Sequence, residues 1–316
     1  EPSHDVTPLS NEPGGFGEAG REILPPPPAV TVQSPQPQPW LEVVKAFLVW
    51  AGSFALLLFT PVVLAIPYFI YSWTKYGLPR PEAIVKDKTL ILLSIVGTIM
   101  AHVLTLILIW FYATGAGKRP FAKSVGFEWP KNITPGVGTL LCCLLAIVLL
   151  GIGWATTQVL GGEKTQLDLI VESSMAARFA TALAAVATAP LVEELIYRGV
   201  LYSALERAAG LGVAVAVVSL LFAGIHVFQY SNNIGVILVI TVLSFTLTIA
   251  RAYTGSLFPP FIIHLVFNGI QSLVLVLTPF LDKSILNKDE VTPTTPGFDI
   301  ALHLLEKLSV YICRMT

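Results

Sequence analysis

Two adjacent carboxylates and an arginine stand inside an apolar stretch of the chain, in the segment Glu193-Glu194-Leu-Ile-Tyr-Arg198. An ionisable side chain near the centre of a membrane helix costs about 2.5–3.5 kcal/mol, so each needs a partner or an aqueous cavity. Glu194 and Arg198 are four residues apart, on one face of a helix, and we expect them to form an ion pair. Glu193 lies about 100° around the helix and is predicted to be the carboxylate that can reach a water molecule or a second helix.

Two further pairs with a spacing of four follow, Phe222-Ala-Gly-Ile-His226 and His264-Leu-Val-Phe-Asn268, each in its own apolar stretch. Taken alone, each histidine or amide can serve as an interhelical hydrogen-bonding group, and the Glu–Arg pair as a structural ion pair. Together, the three motifs supply a general base, orienting groups and oxyanion donors, which are the groups that a hydrolytic site requires. His102 has no such neighbours and is interpreted as a packing or interhelical hydrogen-bonding residue.

The elements that must position these side chains are predicted from composition. Of the 316 residues, 54% are hydrophobic and 12% charged, with a mean hydropathy of +0.73. A soluble domain carries about 25% charged residues, and a spanning helix needs roughly 20 mostly apolar ones. Barrel strands would alternate in polarity, and these stretches do not. We therefore predict an all-α, multi-pass transmembrane bundle of about seven spans, with the active site in an intramembrane cavity. The predicted spans are about 44–73, 89–113, 136–160, 175–205, 211–229, 232–252 and 255–279.

Charge and cysteine content exclude other classes. A net charge of −1 carries no electrostatic footprint for nucleic acid, and three cysteines form neither a disulfide framework nor a paired metal-binding motif. The two moderately long loops on either side of the second span are both basic, so the orientation in the membrane stays open. The protein is expected to be integral to the membrane, which would be the cell membrane for a bacterial source.

Four segments are predicted along the chain. Residues 1–40 are proline-rich and are expected to form a disordered tail, because they cannot bury enough apolar surface to offset their ordering entropy. Residues 41–135 contain two accessory spans with basic loops, and residues 136–280 contain the three motifs. Residues 281–316 form a C-terminal tail, in which the helical periodicity of 298–313 predicts an amphipathic helix on the membrane surface.

In their order and setting, the three motifs resemble the family of CAAX proteases and bacteriocin-processing enzymes, which includes the type II CAAX prenyl endopeptidases. The flanking residues are also similar to family members, in Ala189-Pro190, Arg198-Gly199 and the stretch 254–260. The resemblance covers about residues 136–279. It implies a glutamate-type intramembrane endopeptidase whose cavity admits a membrane-associated or lipidated peptide or protein.

The resemblance also implies a role for each motif residue. Glu193 and His226 would activate the attacking water, and His264 and Asn268 would donate to the oxyanion. Glu194 and Arg198 would hold the site together or assist at the amide. No cofactor is expected. Two histidines and two glutamates could in principle bind zinc, but the HExxH signature of zinc proteases is absent from the sequence, so a metal-free mechanism is favoured.

Two other functions stay open at this point. A catalytically inactive binding or immunity factor could use the same cavity, although such a protein would be free to lose Glu193 or His226. A transporter would also place charges at membrane depth. Transporters often show two repeated halves, whereas here the charged motifs lie in one half and no internal repeat is visible.

Overall fold

A computed structural model describes residues 38–161, 165–230 and 233–280, which belong to one compact unit. The described residues form helices and short connections, with no strand among them, so the predicted all-α fold is confirmed. The expected disordered tail, apart from its last residues, and the amphipathic C-terminal helix lie outside the described residues.

Twelve α-helices, two π-helical turns and a final 3₁₀ turn follow one another in the described part of the chain. They are α1 (Pro39–Tyr76), α2 (Pro81–Ile84), α3 (Lys88–Thr114), α4 (Phe121–Val125), α5 (Pro135–Leu160), α6 (Gln166–Ser173), α7 (Met175–Leu183), π1 (Ala184–Thr188), α8 (Ala189–Glu194), π2 (Leu195–Leu201), α9 (Tyr202–Ala209), α10 (Leu211–Tyr230), α11 (Ile234–Thr254), α12 (Phe258–Leu277) and the 3₁₀ turn Thr278–Phe280.

The chain is an integral multi-pass membrane protein. Within the described ranges, six helical stretches are long and apolar enough to cross a bilayer, and α10 is apolar over the shorter stretch Leu211–Val227. Together they account for the seven predicted spans, with ends that differ by no more than five residues. The fourth span runs continuously from α7 to α9 and contains both π turns.

Helix α1 is longer than a bilayer is thick and is continuous through Pro61 and Pro67. Its 38 residues extend about 57 Å at 1.5 Å per residue, against a hydrocarbon core of about 30 Å. It packs along α3, where a Cβ on Gly97 would lie 2.5 Å from the Cα of Pro61. Glycine therefore sets the closest approach of these two helices.

Two clusters of buried side chains hold the bundle together. The first cluster surrounds π2 and α9 and includes Leu201, Val218 and Phe222. The second cluster lies between α5, α11 and α12 and includes Leu247 and Ile263. The three motif-bearing helices therefore rest on both clusters, which fixes their positions relative to one another.

The fourth span departs from regular helix on both sides of the glutamate pair. Pro190 has no N–H to donate, and just before it the turn widens, so that the Ala189 N–H bonds to the carbonyl of Ala184 in a π-helical turn. A second π turn, π2, follows Glu194 directly. Backbone hydrogen bonding is therefore loosened on both sides of the pair, and π turns inside helices frequently mark functional sites.

The connection between α11 and α12 is tied to the loop before α5. Gly255 adopts a left-handed conformation with φ of 65° and ends α11. The Leu257 N–H then donates to the carbonyl of Gly126 at 2.9 Å. Helix α12 begins regularly, with Pro259 and Pro260 in its first turn, where a missing N–H costs nothing. The two prolines are therefore compatible with a regular start of this helix.

Candidate active site

Glu194 and Arg198 form the predicted ion pair, with 3.0 Å between Oε1 and Nη1 and no exposed surface on either side chain. The guanidinium also donates through Nε to Thr248 Oγ1 at 3.2 Å, and through Nη2 to the Ser244 carbonyl and hydroxyl at 3.0 Å each. Its carbon lies 4.6 Å from the ring centre of Phe222. A buried charge is tolerated when paired and hydrogen-bonded in this way, and these bonds join α8, π2 and α11.

His264 stands between the two glutamates. Its Nδ1 lies 2.8 Å from Glu194 Oε1, and its Nε2 lies 3.7 Å from Glu193 Oε2. Glu194 already accepts from Arg198, and an ionised carboxylate only accepts hydrogen bonds, so the proton of the shorter contact belongs to Nδ1 of His264. The 3.7 Å separation is too long for a direct hydrogen bond. Nε2 and the Glu193 carboxylate therefore face each other across a gap.

The two adjacent carboxylates have different surroundings. The side chain of Glu194 is fully buried, whereas 22% of the Glu193 side chain is exposed. Glu193 lines a cavity of about 200 Å³, and Glu194 does not. The sequence-based expectation that Glu193 is the accessible carboxylate of the pair agrees with this arrangement.

The cavity brings one residue or more from each motif together. Its polar end is formed by Glu193 of α8, His226 of α10, and His264 and Asn268 of α12. Its volume of about 200 Å³ is below the roughly 300–1,000 Å³ of a typical ligand pocket. The rest of its wall comes from α5, α6, α7, π1, α10, α11 and α12. These residues are Gly153, Thr157, Leu167, Thr181, Ala182, Ala185, Phe222, Tyr230, Val236, Val239, Ile240, Leu243, Phe267, Gln271, Ser272 and Leu275.

His226 is held by the residue with which it forms its motif. Nδ1 lies 2.7 Å from the carbonyl of Phe222, and the two rings are 4.7 Å apart. Because a carbonyl only accepts, Nδ1 carries a proton, and Nε2 of the neutral ring is then an acceptor. The spacing of four thus orients the imidazole and fixes its tautomer.

Asn268 fastens α12 to the first π turn. Its Nδ2 donates to the carbonyl of Ala185 at 3.1 Å, which uses one of the two amide hydrogens. Ala185 lies in π1, where the regular hydrogen-bond ladder of the helix is interrupted. The widened turn therefore supplies the acceptor that positions this side chain.

His102 makes an interhelical hydrogen bond, as predicted. Its Nδ1 lies 2.7 Å from Thr188 Oγ1, and that hydroxyl donates in turn to the carbonyl of Ala184. This contact ties α3 to π1, and His102 does not line the cavity.

Sequence reasoning missed Arg251 near the end of α11. Its Nε donates to the carbonyl of Arg198 at 3.1 Å, and its Nη2 lies 3.3 Å from Ser203 Oγ. It is 8% exposed. The signal was present, because Arg251 is a cation inside the predicted span 232–252, but it belongs to no pair with a spacing of four.

The described part of the chain contains no evident metal-binding cluster. Within the described ranges, no group of three or more His, Cys, Asp or Glu side chains could hold one. Glu194 Oε1 is occupied by Arg198 and His264, and Nδ1 of His226 by a backbone carbonyl. The absence of a cofactor from the reaction stays a prediction.

Comparison with known families supports the resemblance that the motifs suggested. Residues 175–270 match the family described as type II CAAX prenyl endopeptidase Rce1-like. The matched segment begins at α7 and ends within α12, so it contains all three motifs and both π turns. No curated protein and no solved structure gives a match.

Proposed function

Because residues 175–270 match the Rce1-like type II CAAX prenyl endopeptidase family, we propose that this protein is an intramembrane endopeptidase that uses Glu193 and His226 to activate water. The observation that carries the proposal is the cavity in which Glu193, His226, His264 and Asn268 meet. Hydrogen bonds orient three of these side chains. His226 and Asn268 are bonded to backbone carbonyls, and His264 is bonded to Glu194. Such fixed orientation is what a preorganised site requires.

In the proposed reaction, Glu193 accepts a proton from a water molecule while Nε2 of His226 accepts the second hydrogen bond of the same water. The oxygen of that water forms a bond to the carbonyl carbon of the peptide. The tetrahedral intermediate collapses by breaking its bond to nitrogen, and the proton held by Glu193 passes to the leaving amine. The protein side chains therefore end in the state in which they began.

Two donors are proposed for the oxyanion. Asn268 retains one amide hydrogen beyond its bond to Ala185. His264 can donate through Nε2 when both ring nitrogens are protonated, since Nδ1 is already bonded to Glu194. Removal of one such donor costs about 2.7–4 kcal/mol of transition-state stabilisation in comparable sites.

Glu194 and Arg198 are proposed to position the site rather than to touch the substrate. Neither lines the cavity, and neither has exposed surface. Glu194 holds His264 through Nδ1, and Arg198 holds Glu194 in place. Of the two roles considered from the sequence, the structure favours this one.

The substrate is proposed to be a membrane-associated protein with a lipidated, CaaX-type end. The family match supports a prenylated substrate, and the apolar wall of the cavity from α11 suits an apolar segment. A cavity within the hydrocarbon region of the membrane would exclude bulk water. The electrostatic interactions inside it would then be stronger.

The test compares new protein termini in membranes that contain the wild type or Glu193→Gln, with Glu82→Gln as a matched control on the exposed helix α2. Equal amounts of each variant must first be shown by immunoblotting. We expect defined termini that are lost in Glu193→Gln and kept in Glu82→Gln. Identical termini in all three samples would refute the endopeptidase and favour the inactive binding or immunity factor.

A second assay addresses the substrate class. The purified protein is given a quenched peptide ending in a CaaX sequence, either farnesylated or unmodified. Glu193-dependent cleavage of the farnesylated peptide alone would support a prenyl-protein substrate. Equal cleavage of both peptides would contradict the prenyl requirement while leaving the endopeptidase intact.

A further inference from the structure

The cavity continues past the proposed catalytic residues, between the facing surfaces of α7 and α12. Two hydrogen bonds join α12 to the continuous stretch formed by α7 and π1. Asn268 donates to the carbonyl of Ala185 at 3.1 Å, and Arg178 donates through Nη1 to the carbonyl of Leu275 at 3.0 Å. Sequence number rises along one helix as it falls along the other, so α7 and α12 run antiparallel with the cavity wall between these two contacts.

Polar side chains line the cavity in this interval. They are Thr181 of α7 together with Gln271 and Ser272 of α12. None of them belongs to the three motifs, and the proposed mechanism does not use them. Gln271 makes one long bond, 3.4 Å from its Nε2 to the carbonyl of Phe267.

The hydroxyl of Thr181 is buried and has no hydrogen-bond partner within the part of the chain that the structure describes. Several threonines in the other spans behave differently. Thr156, Thr241 and Thr246 each donate to the carbonyl four residues earlier, which is the common arrangement in membrane helices. A buried hydroxyl left unbonded is costly, and such a group calls for an explanation.

The opposite wall of the cavity is apolar. Helix α11 contributes Val236, Val239, Ile240 and Leu243 to it. A ligand that fits between these walls has a polar edge toward α7 and α12 and an apolar edge toward α11. An extended peptide with apolar side chains has this character, because its backbone groups must be paired wherever water is excluded.

We propose that Thr181, with Gln271 and Ser272, forms a binding site for the main chain of the substrate, separate from the catalytic groups. The proposal rests on the proposed function, since it places the peptide in the same cavity. Ser272 follows Asn268 by four residues, a rise of about 6 Å along the helix. Two residues of extended chain cover about 6.6 Å, so a peptide lying along α12 meets this site two residues from the bond that is cleaved.

Contacts to the main chain of the substrate would depend on its backbone conformation and not on the identity of its side chains. Because Thr181 Oγ1 is buried in this conformation, it would reach a peptide after rotation about its Cα–Cβ bond, and it would then donate to a carbonyl or accept from an N–H. It would therefore select extended, apolar segments without requiring a particular residue at that position. Affinity, more than the chemical step, should depend on this hydroxyl, because the same contact is made before and during the reaction.

The test uses Thr181→Val, which removes the hydroxyl and keeps the shape of the side chain. Thr105→Val is the matched control, because Thr105 also carries a buried hydroxyl without a partner in the described ranges but does not line the cavity. Thr181→Ser restores a hydroxyl. The probe is a farnesylated CaaX peptide, and its KM and kcat are measured together with its dissociation constant on Glu193→Gln protein.

We expect Thr181→Val to raise KM and the dissociation constant about threefold to tenfold, with kcat changed less than about twofold. Thr181→Ser should recover most of the affinity, and Thr105→Val should match the wild type. If Thr181→Val binds the probe as tightly as the wild type does, or if Thr105→Val weakens binding equally, the proposal is overturned.

The same data separate this proposal from the proposed function. Binding that depends on Thr181 without any Glu193-dependent cleavage would overturn the endopeptidase and support the binding site. Glu193-dependent cleavage that is insensitive to Thr181→Val would support the endopeptidase and overturn the proposed binding site. A wild-type protein that neither binds nor cleaves the probe would contradict both.

Discussion

A single carboxylate oxygen organises the buried side of the candidate site. Oε1 of Glu194 accepts from Arg198 at 3.0 Å and lies 2.8 Å from Nδ1 of His264. Its second oxygen is buried and has no hydrogen-bond partner within the described ranges. Glu194 and Glu193 are neighbours in sequence, yet only Glu194 is embedded in this network. Replacing Glu194 by glutamine should therefore mainly lower the stability of the protein. Replacing Glu193 by glutamine should mainly abolish its activity.

Glu194→Gln should lower the free energy of unfolding by about 3–5 kcal/mol, because Arg198 would remain as a buried, unpaired charge. Glu193→Gln should leave the free energy of unfolding within about 1 kcal/mol of the wild type, since its partly exposed side chain has lost only a charge, while cleavage is abolished. Thermal unfolding in detergent, followed alongside cleavage, measures both. Equal destabilisation by the two substitutions would contradict the division of roles between the glutamates.

Arg198→Lys tests the geometry of the same network. The guanidinium donates in three directions, to Glu194, Thr248 and Ser244. A lysine ammonium is a point charge that cannot reproduce this planar arrangement. We expect a loss of stability of about 1–3 kcal/mol, even though the charge is kept. Unfolding at the wild-type temperature would show that charge alone is sufficient.

At the residue scale, the sequence predicts which residues share a face of one helix, but it does not predict contacts between different elements. The spacing of four between Glu194 and Arg198, and the helical offset of Glu193, follow from the pitch of one helix, and the structure agrees with both. The partners of His264 and Asn268 lie on other elements, namely Glu194 of α8 and the carbonyl of Ala185 in π1. Periodicity within one helix carries no information about those contacts, so they could not be predicted.

The elements of this fold depend on close approach at particular glycines. Gly97→Ala should separate α1 from α3, since the new Cβ would meet the backbone of Pro61 at 2.5 Å. Overpacking of this kind typically costs about 1–3 kcal/mol. Gly151→Ala in α5 is the matched control, because a Cβ there would meet nothing within 4 Å. The melting temperature should fall for Gly97→Ala only, and a fall of the same size for Gly151→Ala would show that helix contact is not the cause.

Arg251 supports the second π turn from α11 through the carbonyl of Arg198. Arg251→Met should reduce the free energy of unfolding by about 1–3 kcal/mol, because the bonds to that carbonyl and to Ser203 are lost. Arg207→Met, on an exposed position of α9, provides the control. Denaturant titration of the purified proteins compares them. An Arg251 variant as stable as the Arg207 variant would show that π2 does not need this contact.

Helix existence and length are well predicted here, since long apolar stretches must be helical in hydrocarbon. The two π turns could not be predicted in the same way. The fourth span is apolar without a clear helical period, so a widened turn leaves no mark in its sequence pattern. Pro190 indicated a disturbance before Glu193. Nothing comparable marks Leu195–Leu201, where the turn is stabilised by side chains from α1, α10 and α11.

At the scale of the whole molecule, helices outside the matched segment hold the site in place. Trp50 of α1 donates through Nε1 to Tyr197 Oη at 3.0 Å, and His102 of α3 reaches Thr188. Tyr197 and Thr188 lie in the two π turns that flank α8. The first two spans are therefore bound to the part of the chain that carries the glutamates, although composition alone identified them only as accessory helices.

A double-mutant cycle with Trp50→Phe and Tyr197→Phe measures this connection. Each single substitution should destabilise the protein by about 0.5–1.5 kcal/mol, which is the net contribution of one hydrogen bond. The double variant should be about as stable as either single variant, because the same bond is removed only once. Strictly additive effects would mean that the two side chains do not interact in the membrane.

A π turn is equivalent to one residue inserted into a regular helix. The wider turn absorbs the extra residue, so the helical segments on both sides keep the same faces toward their neighbours. Deletion of a residue from α7 or α8 would rotate everything beyond it by about 100° and turn Glu193 away from the cavity. Deletion of Val186, within π1, should instead leave a regular helix with both flanks still in phase. Such a shortened chain would be expected to fold and to span the membrane, yet it would lose the widened backbone to which Asn268 is fastened. At this point of the chain, span length and side-chain positioning are therefore separable, and one codon distinguishes a helix that only crosses the bilayer from one that also holds Asn268 at the cavity wall.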